Sequence, residues 1–182
     1  MGAATIACTF DRMVAWTRDS IAGCIELKVP PEDGDVESYV YETAHPQVFE
    51  NFVPERDCAP DGRRYPFVAV QLLDVTDSLR GRTLRFRLAV GIWAPGTFYE
   101  GELDKSMCGW RELDNVLDEV SSALQAADTV AGCRLDMERG VSLGPYRSGD
   151  EVMLTYPYFV GAVEFDLVSG VPAPASRFPG LL

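Results

Sequence analysis

The side chains that could do chemistry in this chain are mostly carboxylates, and they do not fall into a catalytic pattern. Asp114 and Asp118 share a predicted helix with Arg111, where pairing of charges three or four residues apart on a solvated face accounts for them. A catalytic cysteine would need a histidine partner. The sequence has only one, His45, which precedes a proline in a predicted loop. We therefore predict no catalytic residues and no enzymatic activity.

The cysteines and glycines do not form a metal or cofactor motif. The five cysteines are an odd number, and none pairs at Cys-x-x-Cys spacing. Without a recognisable secretion signal, we interpret them as reduced and mostly buried thiols. One histidine leaves little room for a zinc site, and neither a phosphate-binding loop nor a dinucleotide-binding glycine motif is found. We therefore expect no metal and no cofactor.

The overall charge excludes some classes of partner. The chain has 182 residues with a formal net charge of −12. Such an acidic protein is unsuited to holding nucleic acid through its phosphates, because that requires lysine and arginine to displace counterions. It could still lie beside DNA without binding it, although most often such a charge only keeps a protein soluble. The apolar runs are too short to span a membrane.

Helical periodicity is found in two segments, residues 5–22 and 106–128. In the second segment the apolar side chains recur three and four residues apart, which predicts packing against a sheet. These side chains are Trp110, Leu113, Leu117, Val120 and Leu124.

Strand-type alternation is strongest in three segments. Residues 65–74 are apolar on both faces, which predicts a central strand. Residues 83–93 and 155–167 have one apolar and one polar face, and Glu164 and Asp166 belong to the polar face of the last segment. Weaker alternation predicts short strands at residues 25–29, 36–44 and 133–137, the last with Cys133, Leu135 and Met137 pointing inward.

The order of these elements predicts an α/β (α+β) fold. We expect a mainly antiparallel sheet of about four to five strands, with the helices packed on one face. Residues 45–64, 94–105 and 139–151 are predicted to be loops. The domain should span residues 1–168, followed by a proline-rich extended arm at 169–182.

Two strands are introduced by the same Tyr-Pro-aromatic pattern, at Tyr65 and at Tyr156. A proline is tolerated at the start of a strand and keeps the preceding residue extended. Aromatic side chains outside the predicted core either close the end of the sheet or form a protein–protein contact surface. The candidate interface residues are Phe52, Trp93, Phe98, Tyr99, Tyr156, Tyr158 and Phe178.

Several segments, in order along the chain, resemble tail terminator proteins of long-tailed bacteriophages. They are PFVAVQLL at 66–73, GWRELDNVLD at 109–118 and YPYF at 156–159, and the stretch VFENFVP at 48–54 resembles a further loop of that family. The resemblance extends from residue 25 to residue 168, whereas the segment 55–64 and the proline-rich end depart from the family pattern.

This resemblance implies a structural virion protein located at the head-proximal end of the phage tail, after assembly in the host cytoplasm. Family members form a homohexameric ring that stops polymerisation of the major tail tube protein and provides the joining surface for the head–tail connector. Genomic DNA would pass through the lumen without specific binding, and an acidic lining would repel its phosphates.

The resemblance implies a mode of assembly and leaves one alternative function open. A ring needs two different patches on each subunit, and we expect the loops 45–64 and 94–105 and the arm 169–182 to supply them. The alternative function is a head–tail connector or stopper protein of the neck, which would share the acidic character but bind filled heads instead of tube ends.

Overall fold

A computed structural model of the chain describes residues 5–32, 36, 42–78, 81–99, 102–104, 108–149, 151–152 and 154–170. Within these ranges the α-helices are α1 (Ile6–Ser20) and α2 (Cys108–Ala126). The strands are β1 (Leu27–Lys28), β2 (Thr43–Ala44), β3 (Gln47–Glu50), β4 (Phe67–Ser78), β5 (Gly81–Trp93), β6 (Thr97–Tyr99), β7 (Glu102–Asp104), β8 (Arg134–Leu135), β9 (Val141–Pro145), β10 (Arg147–Ser148), β11 (Glu151–Val152), β12 (Leu154–Thr155) and β13 (Tyr158–Ser169).

Three long strands form the centre of the main sheet. β5 lies between β4 and β13 and pairs antiparallel with both. On the far side of β4, the short strand β3 pairs in parallel. On the far side of β13, the strands β12, β9 and β8 follow one another along the same edge, and we call these three strands the outer column. The sheet is therefore mainly antiparallel, as predicted.

The sheet has seven strands instead of four to five, because its outer column consists of three short pieces. None of those pieces has enough alternating residues to be recognised alone. The α+β class, with helices and a mainly antiparallel sheet, is confirmed.

Both helices pack on the same face of the sheet, as the apolar stripes predict. Leu84, Phe86 and Leu88 of β5 are inaccessible to solvent and form one cluster with Met13 of α1 and Leu113 of α2. At Gly161, a Cβ atom would lie 2.7 Å from Cδ1 of Leu117. The glycine therefore lets α2 approach the backbone of β13 closely. Burial of these side chains is the main stabilising contribution to the fold.

The opposite face of the sheet carries a second, smaller cluster. Phe49, Phe67 and Ala89 are buried there and contact Ala59, which follows a short 3₁₀ turn. Residues 51–65 thus cover one part of this face. The side-chain amide of Gln47 donates a hydrogen bond to the carbonyl of Pro60 at 3.0 Å, which fixes this segment to β3.

Each of the three predicted loops contains extended structure. Residues 45–64 include β3, residues 94–105 include β6 and β7, and residues 139–151 include β9 and β10. The first and last of these contribute edge strands to the main sheet. Their pairing with β4 and β13 is a tertiary effect, which a short segment does not reveal through its own periodicity.

Three further expectations need correction. The segment 133–137 contains only the two-residue strand β8, and Met137 is 60% exposed instead of buried, because the chain turns away after Leu135. The thiols of Cys24 and Cys58 are exposed, so the cysteines of the described residues are not mostly buried. The predicted strand at 25–29 is reduced to β1. Of the predicted strand at 36–44 the described residues include β2, while residues 37–41 and the predicted arm from residue 171 lie outside the described residues.

Candidate functional site

The two Tyr-Pro motifs meet at one end of the main sheet. Because β4 and β13 run in the same direction on either side of β5, their first residues lie together. The rings of Tyr65 and Tyr158 have centroids 4.7 Å apart, and Tyr65 also contacts Phe67 at 5.0 Å. We call Tyr65, Phe67, Tyr156 and Tyr158 the aromatic end. Its residues are distant in sequence, but they form a single surface feature.

Hydrogen bonds and burial order the aromatic end. The hydroxyl of Tyr156 donates to the carbonyl of Pro95 at 2.7 Å, and the backbone N–H of Ala94 donates to the carbonyl of Pro157. Burial raises the pKa of Tyr65 above its ordinary value. These contacts hold the chain that follows β5 against the start of β13, so the aromatic end is anchored on both sides.

The predicted interface residues differ in their exposure. Phe52 is 71% exposed and Tyr156 is 43% exposed, whereas Tyr158 is half-buried. Trp93 is only 2% exposed, which corrects the expectation that it lies outside the core. It pairs with Tyr158 at the end of β5, where the sheet is covered.

The remaining candidates cannot be placed as surface residues. Phe98 and Tyr99 belong to β6, but their side chains lie outside the described residues, as does the whole of Phe178. Their participation in an interface stays a prediction.

Exposed apolar side chains lie on the two lateral sides of the main sheet. On one side, which we call the β3 side, Phe52 lies two residues beyond the end of β3, and Leu73 lies in the bulge of β4, the strand that pairs with β3. On the other side, which we call the β9 side, exposed apolar residues lie within or next to the chain segment that forms the outer column. They are Met137, Leu143, Val152 and Tyr156. Large exposed apolar side chains grouped in this way are typical of protein contact surfaces.

A charged network occupies the sheet face opposite the helices. The carboxylate of Glu164 accepts hydrogen bonds from Arg85 at 2.9 Å and from Arg87 at 2.7 Å, and the guanidinium of Arg87 lies 5.3 Å from the ring centre of Tyr146. Burial acts to raise the pKa of Glu164, but the two arginines outweigh it and lower the pKa below its ordinary value. The network therefore keeps Glu164 ionised and ties β5 to β13.

A cleft of about 750 Å³ lies at the sheet end opposite the aromatic end. Its rim carries Asp128, Asp136, Glu138 and two arginines, Arg134 and Arg139. Arg139 donates to the buried carboxylate of Asp166 at 2.6 Å, so one of these cations already has an anionic partner. The rim combines opposite charges, and none of the lining residues is a histidine or a cysteine.

The described residues do not assemble a metal site. No group of three or more His, Cys, Asp or Glu side chains among them is arranged to hold an ion. The lone histidine is exposed, and Nδ1 of His45 lies 2.8 Å from the carbonyl oxygen of Ile25, so it links two loop segments. Among the helices of the described ranges, none is both long and apolar enough to cross a membrane.

Comparison with protein-family models finds no match for this chain, and a search among curated proteins finds no similar sequence either. The exposed surfaces and the sequence resemblance are therefore the features that bear on the function. Sequence reasoning identified Phe52 and Tyr156 but missed the rest of the β9 side, which consists of Met137, Leu143 and Val152. Alternation in VSLGP at 141–145 is the signal that could have revealed it.

Proposed function

We propose that this chain is a structural protein of a bacteriophage virion, a tail terminator that forms a ring at the head-proximal end of the tail tube. The observation that carries the proposal is the distribution of exposed apolar side chains on two different lateral sides of one sheet. Subunits of a ring meet through two unlike patches, one on each side. Phe52 on the β3 side and Leu143 on the β9 side supply such patches.

Two other features support the proposal. The cleft is lined by carboxylates and arginines, a composition suited to a charged contact surface. The net charge of −12 suits a ring whose lumen passes DNA, because negative side chains repel phosphates. The partners of the ring would be the major tail tube protein on one face and the head–tail connector on the other.

Electron microscopy of particles assembled without this gene tests the function. Overlong, headless tubes, corrected when the wild-type gene is supplied in trans, would support a terminator. Tails of normal length beside leaking or empty heads would instead assign the protein to the connector or stopper. Unchanged, infective particles would refute both functions.

A further inference from the structure

The main sheet has a free backbone edge on each lateral side. On β3, the N–H groups of Gln47 and Asn51 donate toward β4, to Pro66 and Val70. The N–H groups of Val48 and Glu50, which alternate with them, therefore point away from the sheet. Within the described ranges, neither of these two N–H groups has a hydrogen-bond acceptor, while the outward carbonyl of Glu50 accepts from the N–H of Phe52 at 2.7 Å.

The outer edge of β9 is free in the same way. The N–H of Tyr146 donates to the carbonyl of Val160, at 2.9 Å, and inward and outward residues alternate from there along an antiparallel pair. Val141 and Leu143 therefore direct their N–H and C=O groups outward. Among the described residues, neither N–H has a hydrogen-bond acceptor. Unpaired edges of this kind accept a strand from another chain.

The directions of the two edge strands suit pairing between copies. β3 runs parallel to β4 and hence to β13, whereas β9 runs antiparallel to β13. When a second copy is placed beside the first with its helices on the same side, its β9 lies antiparallel to β3 of the first. Antiparallel pairing is the more stable arrangement per residue.

Charge and apolar contacts favour the same arrangement. The exposed Arg147 lies two residues beyond β9, while the exposed carboxylate of Glu50 ends β3. Arg139, which precedes β9, already pairs with Asp166. Both edges also carry an exposed apolar side chain, Phe52 just beyond β3 and Leu143 within β9. A joint between unlike edges would thus bring opposite charges and apolar side chains together, whereas two β9 edges would bring arginines together.

We propose that β3 of one copy pairs antiparallel with β9 of the next copy, so that the main sheets continue from subunit to subunit. The partner is a second copy of this chain, and the contact is head-to-tail. This inference rests on the proposed ring, because a head-to-tail contact forms a ring when its rotation closes. It adds which strands form the contact and in which direction they run.

Proline substitutions at outward-facing positions test the pairing. In Glu50→Pro and Leu143→Pro, the outward N–H is lost but the hydrogen bonds to β4 and β13 remain, since proline is tolerated on an edge strand. The matched controls Glu50→Ala and Leu143→Ala shorten the same side chains and keep the N–H. Melting temperatures of all four variants establish that each remains folded.

Sedimentation velocity of the purified chain, alone and on tail tubes assembled from the tube protein, measures association. We expect each proline variant to raise the apparent Kd of the contact at least about tenfold relative to its alanine control. A mixture of the two proline variants should form dimers and nothing larger. The Leu143→Pro copy keeps its β3 edge, the Glu50→Pro copy keeps its β9 edge, and the other two edges are blocked.

Three results would overturn the inference. They are wild-type protein that stays monomeric in both settings, association that is unaffected by either proline, and a mixture that does not form dimers. The particle test remains separate. If association is sensitive to the prolines but loss of the gene leaves tails unchanged, the edge pairing is supported and the terminator function is refuted. If loss of the gene gives overlong tubes but association is insensitive to the prolines, the terminator function is supported and the edge pairing is refuted.

Discussion

Replacement of Gly91 by alanine should disturb the smaller cluster on the sheet face opposite the helices. Gly91 of β5 pairs with Phe67 of β4, and the Phe67 ring lies over the glycine. A Cβ atom at position 91 would lie 2.5 Å from Cζ and 2.6 Å from Cδ1 of that ring, with Cε1 closer still. Ordinary contacts of a Cβ atom begin near 3.4 Å, so the ring would have to move by about an ångström.

Neighbouring rings restrict that movement. Phe67 is 4% exposed, and its ring contacts Tyr65 at 5.0 Å and Phe49 at 6.3 Å. Overpacking costs about 1–3 kcal/mol, and the preference of a strand for alanine over glycine offsets about 0.5–1 kcal/mol. We therefore expect Gly91→Ala to lower the free energy of unfolding by about 1–2 kcal/mol, and the melting temperature by about 2–8 °C.

Urea unfolding followed by tryptophan fluorescence measures this loss. Gly144→Ala is the matched control, because nothing lies within 4 Å of a Cβ at that strand position, and it should be neutral or slightly stabilising. If the ring contact is the cause, Phe67→Leu should cost less in the Gly91→Ala background than in the wild type. Equal stability of Gly91→Ala and wild type, or strictly additive effects of the two substitutions, would refute the reasoning.

Three further predictions concern the charged network, a helix end and the thiols. Glu164→Gln should destabilise the protein by about 1–2 kcal/mol at pH 7. Because the pKa of Glu164 is lowered in the folded state, its stabilising contribution is present above the unfolded-state pKa near 4.5 and is lost as the pH falls through the folded-state pKa. Urea unfolding at several pH values should therefore show a stability difference between wild type and variant that shrinks toward low pH, and a constant difference would contradict the role of Glu164. Thr5→Ala removes the side-chain acceptor at the start of α1 and should cost about 1 kcal/mol by the same assay, while Thr5→Ser should cost little. Iodoacetamide followed by mass spectrometry should label the exposed Cys24 and Cys58 well before Cys133, whose pKa is raised by burial, and equal labelling of all three in the folded protein would refute this order.

The central part of the fold was predictable because its strands carry their burial pattern in their own residues. In 83–93, alternate side chains enter the main cluster, and in 108–126 the apolar residues lie three and four apart. A pattern of this length is decided locally. The edge strands β3 and β9 have four and five residues, so their extended state depends on a neighbour that is distant in sequence.

The candidate site was predictable only in part, for a related reason. The types of the aromatic residues suggested a surface, and Phe52 and Tyr156 are indeed exposed. Exposure of an individual side chain depends on what the rest of the chain places over it, however. Trp93 is buried for this reason, whereas Leu143 and Met137, in a predicted loop and a predicted inward position, are exposed on the β9 side.

The shortness of the two free edges bears on how copies would associate. Long open edges promote uncontrolled aggregation, and proteins limit them with short strands and prolines. β3 offers only four residues, and Pro145, which lacks an N–H at an outward position, ends β9. A single joint would therefore be weak. Several such joints closing a ring, on a tube end that holds the copies side by side, would act at a high effective concentration. Short edges thus favour copies that pair reversibly in solution, at concentrations near the Kd of one joint, and that close into a ring on the target.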